Sequence, residues 1–176
     1  MHGAGAILAL LIFGSATTPI SIRAGFQNPT PGQDPDTFEA TGGETTAQHT
    51  RPRSARELLE KYMAANKAFD ASVADLYSDD AKIKATRIYP NGMTRALTIE
   101  ASQWKAMIRE LMPVAKARGD WDSLSNVTFT DEGGRVRIRA TRHSGLKDYD
   151  GPWSMLVGPN ADGDWVIFEE VVETRP

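Results

Sequence analysis

Residues 135–140 read RVRIRA, in which apolar side chains alternate strictly with arginines. A period of two is typical of a β-strand that buries one face and exposes the other. Residues 127–129 and 153–157 alternate in the same way. The glycines of DEGG (131–134) indicate a tight turn between the first two of these segments. Because the chain closes on a further apolar stretch, 165–172, we expect an antiparallel meander in its C-terminal half.

The residues before this meander have helical periodicity instead. Ser54 and Glu57 form a capping box, which predicts that a helix starts at Ser54. Apolar residues at helical spacing then share one face, and they are Leu58, Tyr62, Ala65 and Phe69. A later helix carries Trp104, Met107, Ile108 and Leu111 on one face. Pro113 is expected to end or kink that helix, and Gly119 to stop what remains.

Shorter elements lie between the two helices. We predict a short helix at 73–77, a strand at 81–89 and a poorer strand at 93–99. Helices first and a meander last indicate an α+β domain, with the helices on one face of a curved antiparallel sheet.

The N-terminal segment has the features of a targeting signal. Residues 4–13 read AGAILALLIF, an uncharged run of ten followed by small residues. The run is too short for a membrane span, which needs about 20 apolar residues, and it has the length of a signal-peptide core. We predict a signal peptide at 1–24, cleaved after Ala16 or after Ala24, and hence a secreted or periplasmic protein without a membrane span. The alternative is a buried helix, because no Lys or Arg precedes the run.

Residues 25–53 are rich in Pro, Gly and Thr and poor in large apolar side chains. Such a stretch buries too little surface to offset its ordering entropy. We therefore predict a disordered tether here, followed by one folded domain at 54–174.

Composition excludes several classes of protein. The 176-residue chain has 20 basic and 23 acidic residues, a net charge of −3 and no cysteine. Disulfides, thiolate metal sites and cysteine nucleophiles are therefore excluded, and the slightly acidic balance argues against nucleic-acid binding. The predicted domain has one histidine, His143, so a histidine-cluster metal site is excluded. We predict neither a metal nor another cofactor.

Three motifs resemble the nuclear transport factor 2-like superfamily. They are Phe69-Asp70, LYSDDA at 76–81 and the closing DGDWVI at 162–167. The resemblance covers about 54–174 and is nearest in style to the SnoaL-like branch and to bacterial members without an assigned function. It implies a cone, in which a strongly bent sheet wraps around the long first helix and leaves an apolar pocket at the open end. The superfamily includes isomerases, dehydratases, cyclases, epoxide hydrolases and proteins that only bind or dimerise, so the fold does not settle the function.

The steroid isomerases of this superfamily offer a test for catalysis. They polarise a carbonyl with a helix tyrosine and a protonated Asp, while a second Asp moves the proton. Tyr62 matches the tyrosine position, but the base would fall near Ala85 and the protonated Asp near Ser154 or Met155. None of these is an acid. We therefore predict that Tyr62 lies in the pocket without a carboxylate partner, and we assign no catalytic residue.

These observations leave three readings of the function. The first is non-catalytic binding of a small apolar molecule or a partner protein, in a pocket lined by Tyr62, Phe69, Trp104, Met107, Trp153 and Met155. The same side chains would equally serve as plain core. The second is a SnoaL-like enzyme (a cyclase, dehydratase, hydrolase or isomerase), whose candidate acid–base residues are Asp70, Asp75, Arg87, Glu100 and His143. The third is a structural homodimer through the outer sheet face.

One charged pattern remains. Arg135, Arg137 and Arg139 form a stripe on one strand. Acidic residues lie on the closing strand at 169, 170 and 173. Cross-strand ion pairs between the two sets are the economical explanation.

Overall fold

The computed structural model describes residues 44–176. Its elements, in chain order, are helix α1 (Glu44–Ala68), a 3-10 helix (Ala71–Leu76), strands β1 (Tyr77–Ile88) and β2 (Thr94–Glu100), helix α2 (Ala101–Arg118), and strands β3 (Asp122–Glu132), β4 (Arg135–Ser144), β5 (Tyr149–Pro159) and β6 (Trp165–Thr174). The predicted signal peptide and the first part of the predicted tether lie outside the described residues.

One curved, unclosed sheet contains all six strands in the order β2-β1-β6-β5-β4-β3. Every neighbouring pair is antiparallel except β1 and β6, which are parallel. Helix α1 packs across β3 to β6, and α2 packs against β1 and β2. The predicted α+β fold with a curved sheet around the long first helix is confirmed.

The period of two explains which strand faces are buried. In β1, Ala81, Ile83 and Ala85 face the helices, whereas Lys82 and Lys84 face outward. Apolar residues of β4 and β5 continue the same inner face and include Val136, Ile138, Trp153, Met155 and Val157. The concave side of the sheet therefore holds the core.

Helix α1 begins earlier than the capping box indicated. It starts at Glu44, so Ser54 lies inside the helix and the predicted cap is wrong. Good helix formers such as Glu44 and Ala47 allow the earlier start. Arg51 also has a tertiary partner, since its guanidinium lies 3.3 Å from the Asp131 carboxylate. The last ten residues of the predicted tether are thus helical.

Helix α2 runs through Pro113 and ends at Gly119. Of the two effects predicted for Pro113, an end of the helix is wrong, because the helix continues to Arg118; a kink stays a prediction. Pro113 is on the exposed side, where its ring has space and water can reach the carbonyl that loses its donor. The predicted stop at Gly119 is confirmed, since this residue adopts a left-handed conformation with φ +60°.

The outer face of the sheet is covered by ion pairs. Arg137 lies 2.6 Å from Glu169 and reaches it across β5, because β5 lies between β4 and β6. Arg139 instead contacts Glu132 at 3.3 Å, and the guanidinium of Arg135 stacks 3.6 Å above the Phe168 ring. The predicted Arg–Glu pairing is therefore confirmed for one pair. The homodimer through this face stays a prediction.

None of the helices in residues 44–176 is long and apolar enough to cross a membrane.

Candidate functional site

A β-bulge in β6 decides which side chains of that strand face the core. Leu156 of β5 pairs with Glu169, but the next residue, Val157, pairs with Ile167. Phe168 is therefore an extra residue in β6. Such an insertion reverses the inward and outward alternation beyond it. As a result, Ile167 and Glu170 both point to the concave side, while Glu169 points outward.

Glu170 is buried at the centre of a hydrogen-bonded group. It is 4% exposed. The Trp153 indole Nε1 donates to its Oε1 at 2.8 Å, and the Tyr62 hydroxyl donates to the same oxygen at 3.1 Å. The Tyr77 hydroxyl donates to Oε2. The carboxylate thus has hydrogen bonds on both oxygens, which a buried charge requires.

Four separate elements bring these groups together. Tyr62 comes from α1, Tyr77 from the start of β1, Trp153 from β5 and Glu170 from β6. The rings of Tyr62 and Trp153 lie 5.9 Å apart, and Trp104 of α2 meets the Tyr77 ring edge-on at 6.3 Å. These aromatic contacts hold the donors in place around the carboxylate.

The environment keeps both tyrosines protonated. Burial, and then the negative charge of Glu170, raise the pKa of Tyr62 and of Tyr77 well above 10. The indole N–H of Trp104 lowers the pKa of Tyr77, but by less than burial and Glu170 raise it. Both hydroxyls are therefore hydrogen-bond donors to Glu170 at any physiological pH.

A second polar group lies beside the first. Arg142 of β4 is 3% exposed. Its Nη1 donates to Asp122 at 2.9 Å, and its Nη2 donates to the Tyr149 hydroxyl at 2.7 Å and to the Glu173 carbonyl at 3.0 Å. Burial alone would lower the pKa of Arg142, but Asp122 and Tyr149 raise it overall. The guanidinium is therefore charged and held in a fixed orientation.

Both groups line one small chamber between the helices and the sheet. The centre of a water molecule can occupy a volume of about 20 Å³ inside it. This volume is enough for roughly one water molecule. The lining residues are Tyr62, Asn66, Val73, Tyr77, Trp104, Ile108, Asp122, Arg142, Trp153, Glu170 and Val172. Three buried side-chain atoms that belong to lining residues form no hydrogen bond of normal geometry within residues 44–176: Asn66 Oδ1, Trp104 Nε1 and Arg142 Nε.

Two larger grooves lie on the surface beside the turn between β5 and β6. Their volumes are about 570 and 520 Å³, and both are broadly open to solvent. Neither includes a side-chain atom that is both buried and without a hydrogen bond in the part of the chain described. The chamber is therefore the better candidate site.

The predicted pocket residues separate into two groups. Tyr62, Trp104 and Trp153 line the chamber. Met155 is fully buried in the core, where it pairs with Glu170 across the strands. Phe69 and Met107 are half-buried against the same core and are not lining residues. Whether any of the six contacts a ligand stays a prediction.

The five predicted acid–base candidates all lie away from the chamber lining. Asp70 caps the 3-10 helix, accepting from the Ser72 N–H at 2.9 Å. Three others are in ion pairs or hydrogen-bonded pairs: Asp75 with Arg109, Glu100 with Lys82, and His143 with Asp150. Arg87 lies 5.5 Å from the centre of the Tyr89 ring.

The prediction that Tyr62 has no carboxylate partner is wrong. Ala85 and the 154–155 region indeed provide no acid, but Glu170 provides one from a different strand, 3.1 Å from the Tyr62 hydroxyl. The predicted pairing of Glu170 with an arginine is also wrong, because the bulge at Phe168 turns this side chain inward to two tyrosines and a tryptophan. The inward position of Arg142 could be predicted from the sequence, because this residue continues the alternation of residues 136, 138 and 140 along β4.

Among residues 44–176, no group of three or more His, Cys, Asp or Glu side chains is arranged to hold a metal ion.

Comparisons with known proteins identify the fold. No family model matches the sequence, and no curated protein matches it. Solved structures do match in shape. A nuclear transport factor 2-like protein of unknown function from Pseudomonas putida aligns with a TM-score of 0.52 and 19% identity, over 70% of this chain and 85% of that one.

Two further structures agree. A nuclear transport factor 2-like protein with a cystatin-like fold from Novosphingobium aromaticivorans aligns with a TM-score of 0.51 and 16% identity, over 74% of this chain and 86% of that one. A nuclear transport factor 2-like protein of unknown function from Shewanella baltica aligns with a TM-score of 0.50 and 11% identity, over 70% of this chain and 92% of that one. The chain has the nuclear transport factor 2-like fold.

Proposed function

We propose that this nuclear transport factor 2-like protein binds a small organic molecule, and that the polar head group of that molecule enters the chamber beside Glu170. The observation that carries this proposal is the buried Glu170 carboxylate on the chamber wall. Removing a carboxylate from water costs several kcal/mol. This free-energy cost is explained if the buried carboxylate accepts a hydrogen bond from a ligand group in the chamber.

The lining also indicates where a ligand enters. Nine of the lining residues are buried, whereas Tyr62 and Asp122 are half-buried. These two belong to α1 and to the first residue of β3. We therefore propose that the body of a bound ligand lies between that helix and that strand.

The size of the chamber changes the expected ligand. A space for about one water molecule receives a single polar group rather than a whole apolar molecule. The ligand we propose is therefore apolar in its body and polar at one end.

A second candidate function is acid–base catalysis, and the same carboxylate favours it. Glu170 is enclosed, lies in reach of a bound head group and is held by three donors. A positioned carboxylate of this kind can accept a proton from a substrate. Replacing Glu170 separates the two functions: a Gln variant of a binding protein still binds, more weakly, whereas an enzyme loses turnover.

The four tryptophans provide a test of binding. Trp104 and Trp153 line the chamber, whereas Trp121 and Trp165 do not. Each indole N–H gives one signal in a proton–nitrogen NMR spectrum. We expect small-molecule fragments that bind here to shift the Trp104 and Trp153 signals and leave the other two in place.

The strand also provides a matched control. Glu169→Gln removes a carboxylate from the outer face, whereas Glu170→Gln removes one from the chamber. We expect Glu170→Gln to weaken fragment binding and Glu169→Gln to leave it unchanged. Equal effects of the two variants, or fragments that shift only Trp121 and Trp165, would contradict binding in the chamber.

We further propose that the protein is exported. The support is the uncharged run at 4–13 and the small residues after it.

A further inference from the structure

We infer that the chamber selects a hydroxyl group, so that the ligand is an alcohol or a phenol rather than a ketone, a protonated amine or a carboxylate. This inference rests on the proposed binding function and specifies its ligand class. It follows from the chemistry of the polar atoms that surround one water-sized space.

Two of the buried side-chain oxygens of the lining residues can accept a further hydrogen bond. Glu170 is a carboxylate whose Oε2 receives one donor from the described residues, the Tyr77 hydroxyl, so this oxygen has remaining lone-pair capacity. The Asn66 Oδ1 atom is buried and unbonded within the described part of the chain. A group placed here can therefore donate a proton to them.

One buried side-chain nitrogen of a lining residue can donate a further hydrogen bond. Arg142 uses both terminal nitrogens on Asp122, Tyr149 and the Glu173 carbonyl, which leaves its Nε–H without an acceptor among residues 44–176. An entering group must therefore also accept.

A hydroxyl satisfies both requirements with one oxygen, since it has one proton and two lone pairs. A ketone cannot donate to Glu170. A protonated amine cannot accept from Arg142 and meets its positive charge. A carboxylate meets the negative charges of Glu170 and Asp122, and like charges brought together in an enclosed site are strongly unfavourable.

The test uses four compounds that share one ring: cyclohexanol, cyclohexanone, cyclohexylamine and cyclohexanecarboxylate. The full chain is titrated with each at neutral pH, and binding is followed by the Trp104 and Trp153 indole signals. We expect cyclohexanol to bind at least about tenfold more tightly than the other three, because a site built for a hydroxyl discriminates strongly against analogues that lack it.

A variant is expected to weaken the preference. In Glu170→Gln the amide oxygen is expected to stay at the position of Oε1, where Trp153 and Tyr62 donate. The amide NH2 then takes the place of Oε2 and can donate to a ketone. We expect the preference for cyclohexanol over cyclohexanone to fall by about tenfold in this variant and to be unchanged in Glu169→Gln.

The outcomes separate the inference from the function on which it rests. If cyclohexanone or cyclohexylamine shifts the chamber indoles as tightly as cyclohexanol, the hydroxyl selectivity is wrong while binding in the chamber stands. If none of the four shifts Trp104 or Trp153, both are wrong. The panel on the unmodified chain decides the selectivity even if Glu170→Gln does not fold.

Discussion

Glu169 and Glu170 are adjacent in the sequence and lie in opposite environments. Glu169 faces outward between two cations. Burial alone would raise its pKa, but hydrogen bonds from Lys84 and Arg137 lower it. Glu170 faces inward, where two tyrosines and a tryptophan donate to it. The chemistry of each carboxyl group therefore depends on which face its residue occupies.

Because of the buried tyrosines, we expect the free energy of unfolding to depend on pH in the alkaline range. Because burial and Glu170 raise the pKa of Tyr77 in the folded chain, its contribution to stability is complete below the unfolded pKa of about 10. That contribution is lost as the pH rises further, at up to about 1.4 kcal/mol per pH unit. We expect Tyr77→Phe to be less stable than the unmodified chain at pH 8, by about 1–3 kcal/mol for the lost hydrogen bond.

We also expect the difference in unfolding free energy between the two proteins to shrink between about pH 9 and pH 11. Urea denaturation across this range measures it. Tyr89→Phe, at a tyrosine outside the chamber, serves as the control. A difference that grows with pH would show that the Tyr77 hydroxyl is not held in its neutral form.

Gly145 is required by the close approach of Trp121. A Cβ atom at this position would lie 2.0 Å from the Trp121 ring. We expect Gly145→Ala to lower the free energy of unfolding by about 1–3 kcal/mol, the usual cost of overpacking. Gly151→Ala is the matched control, because its Cβ would meet its nearest neighbour at an ordinary 3.5 Å. Equal melting temperatures for the two variants would contradict this expectation.

At the scale of elements, α2 contains a proline that its packing does not require. Pro113 is exposed and removes one backbone hydrogen bond from the helix interior. We expect Pro113→Ala to raise the free energy of unfolding by about 1–3 kcal/mol, less than the full helix-propensity difference because proline also stiffens the unfolded chain.

Urea denaturation measures this effect, and Val114→Ala, at a neighbouring exposed position, should change stability little. A loss of stability in Pro113→Ala would mean that the proline shapes how Met112 and its neighbours pack.

Strand β6 shows how one inserted residue creates a site. Before Phe168 the strand places Ile167 in the core, and after it Glu170 and Val172 face inward. The extra residue is held outside the core by the Arg135 guanidinium, 3.6 Å from its ring. A strand without the bulge would place Glu169 inside and Glu170 among the ion pairs of the outer face.

At the scale of the whole molecule, the proposed export gives a direct measurement. N-terminal sequencing of protein purified from its native host should begin at Thr17 or Gly25, after cleavage at Ala16 or Ala24. The apolar run that precedes these sites is removed in an exported chain. Recovery of intact Met1 from a soluble cytosolic pool would contradict the proposal.

The sequence by itself determined the elements of this protein and much of its core. Periods of two and of 3.6 are local properties, so the strands and helices, the inward faces of β4 and β5, and the stop at Gly119 could all be read from the residues. Three of the chamber's aromatic residues, Tyr62, Trp104 and Trp153, were found in the same way.

Only the tertiary structure decided the polar part of the site. The inward direction of Glu170 depends on a bulge defined by the pairing of β6 with β5, and the register in which two strands pair leaves no periodic signal in either strand alone. Arg142 is held by residues of β3, β5 and β6, which lie far apart in the chain. A site assembled from several elements is set by how they pack, because no single segment contains the partners that orient its charges.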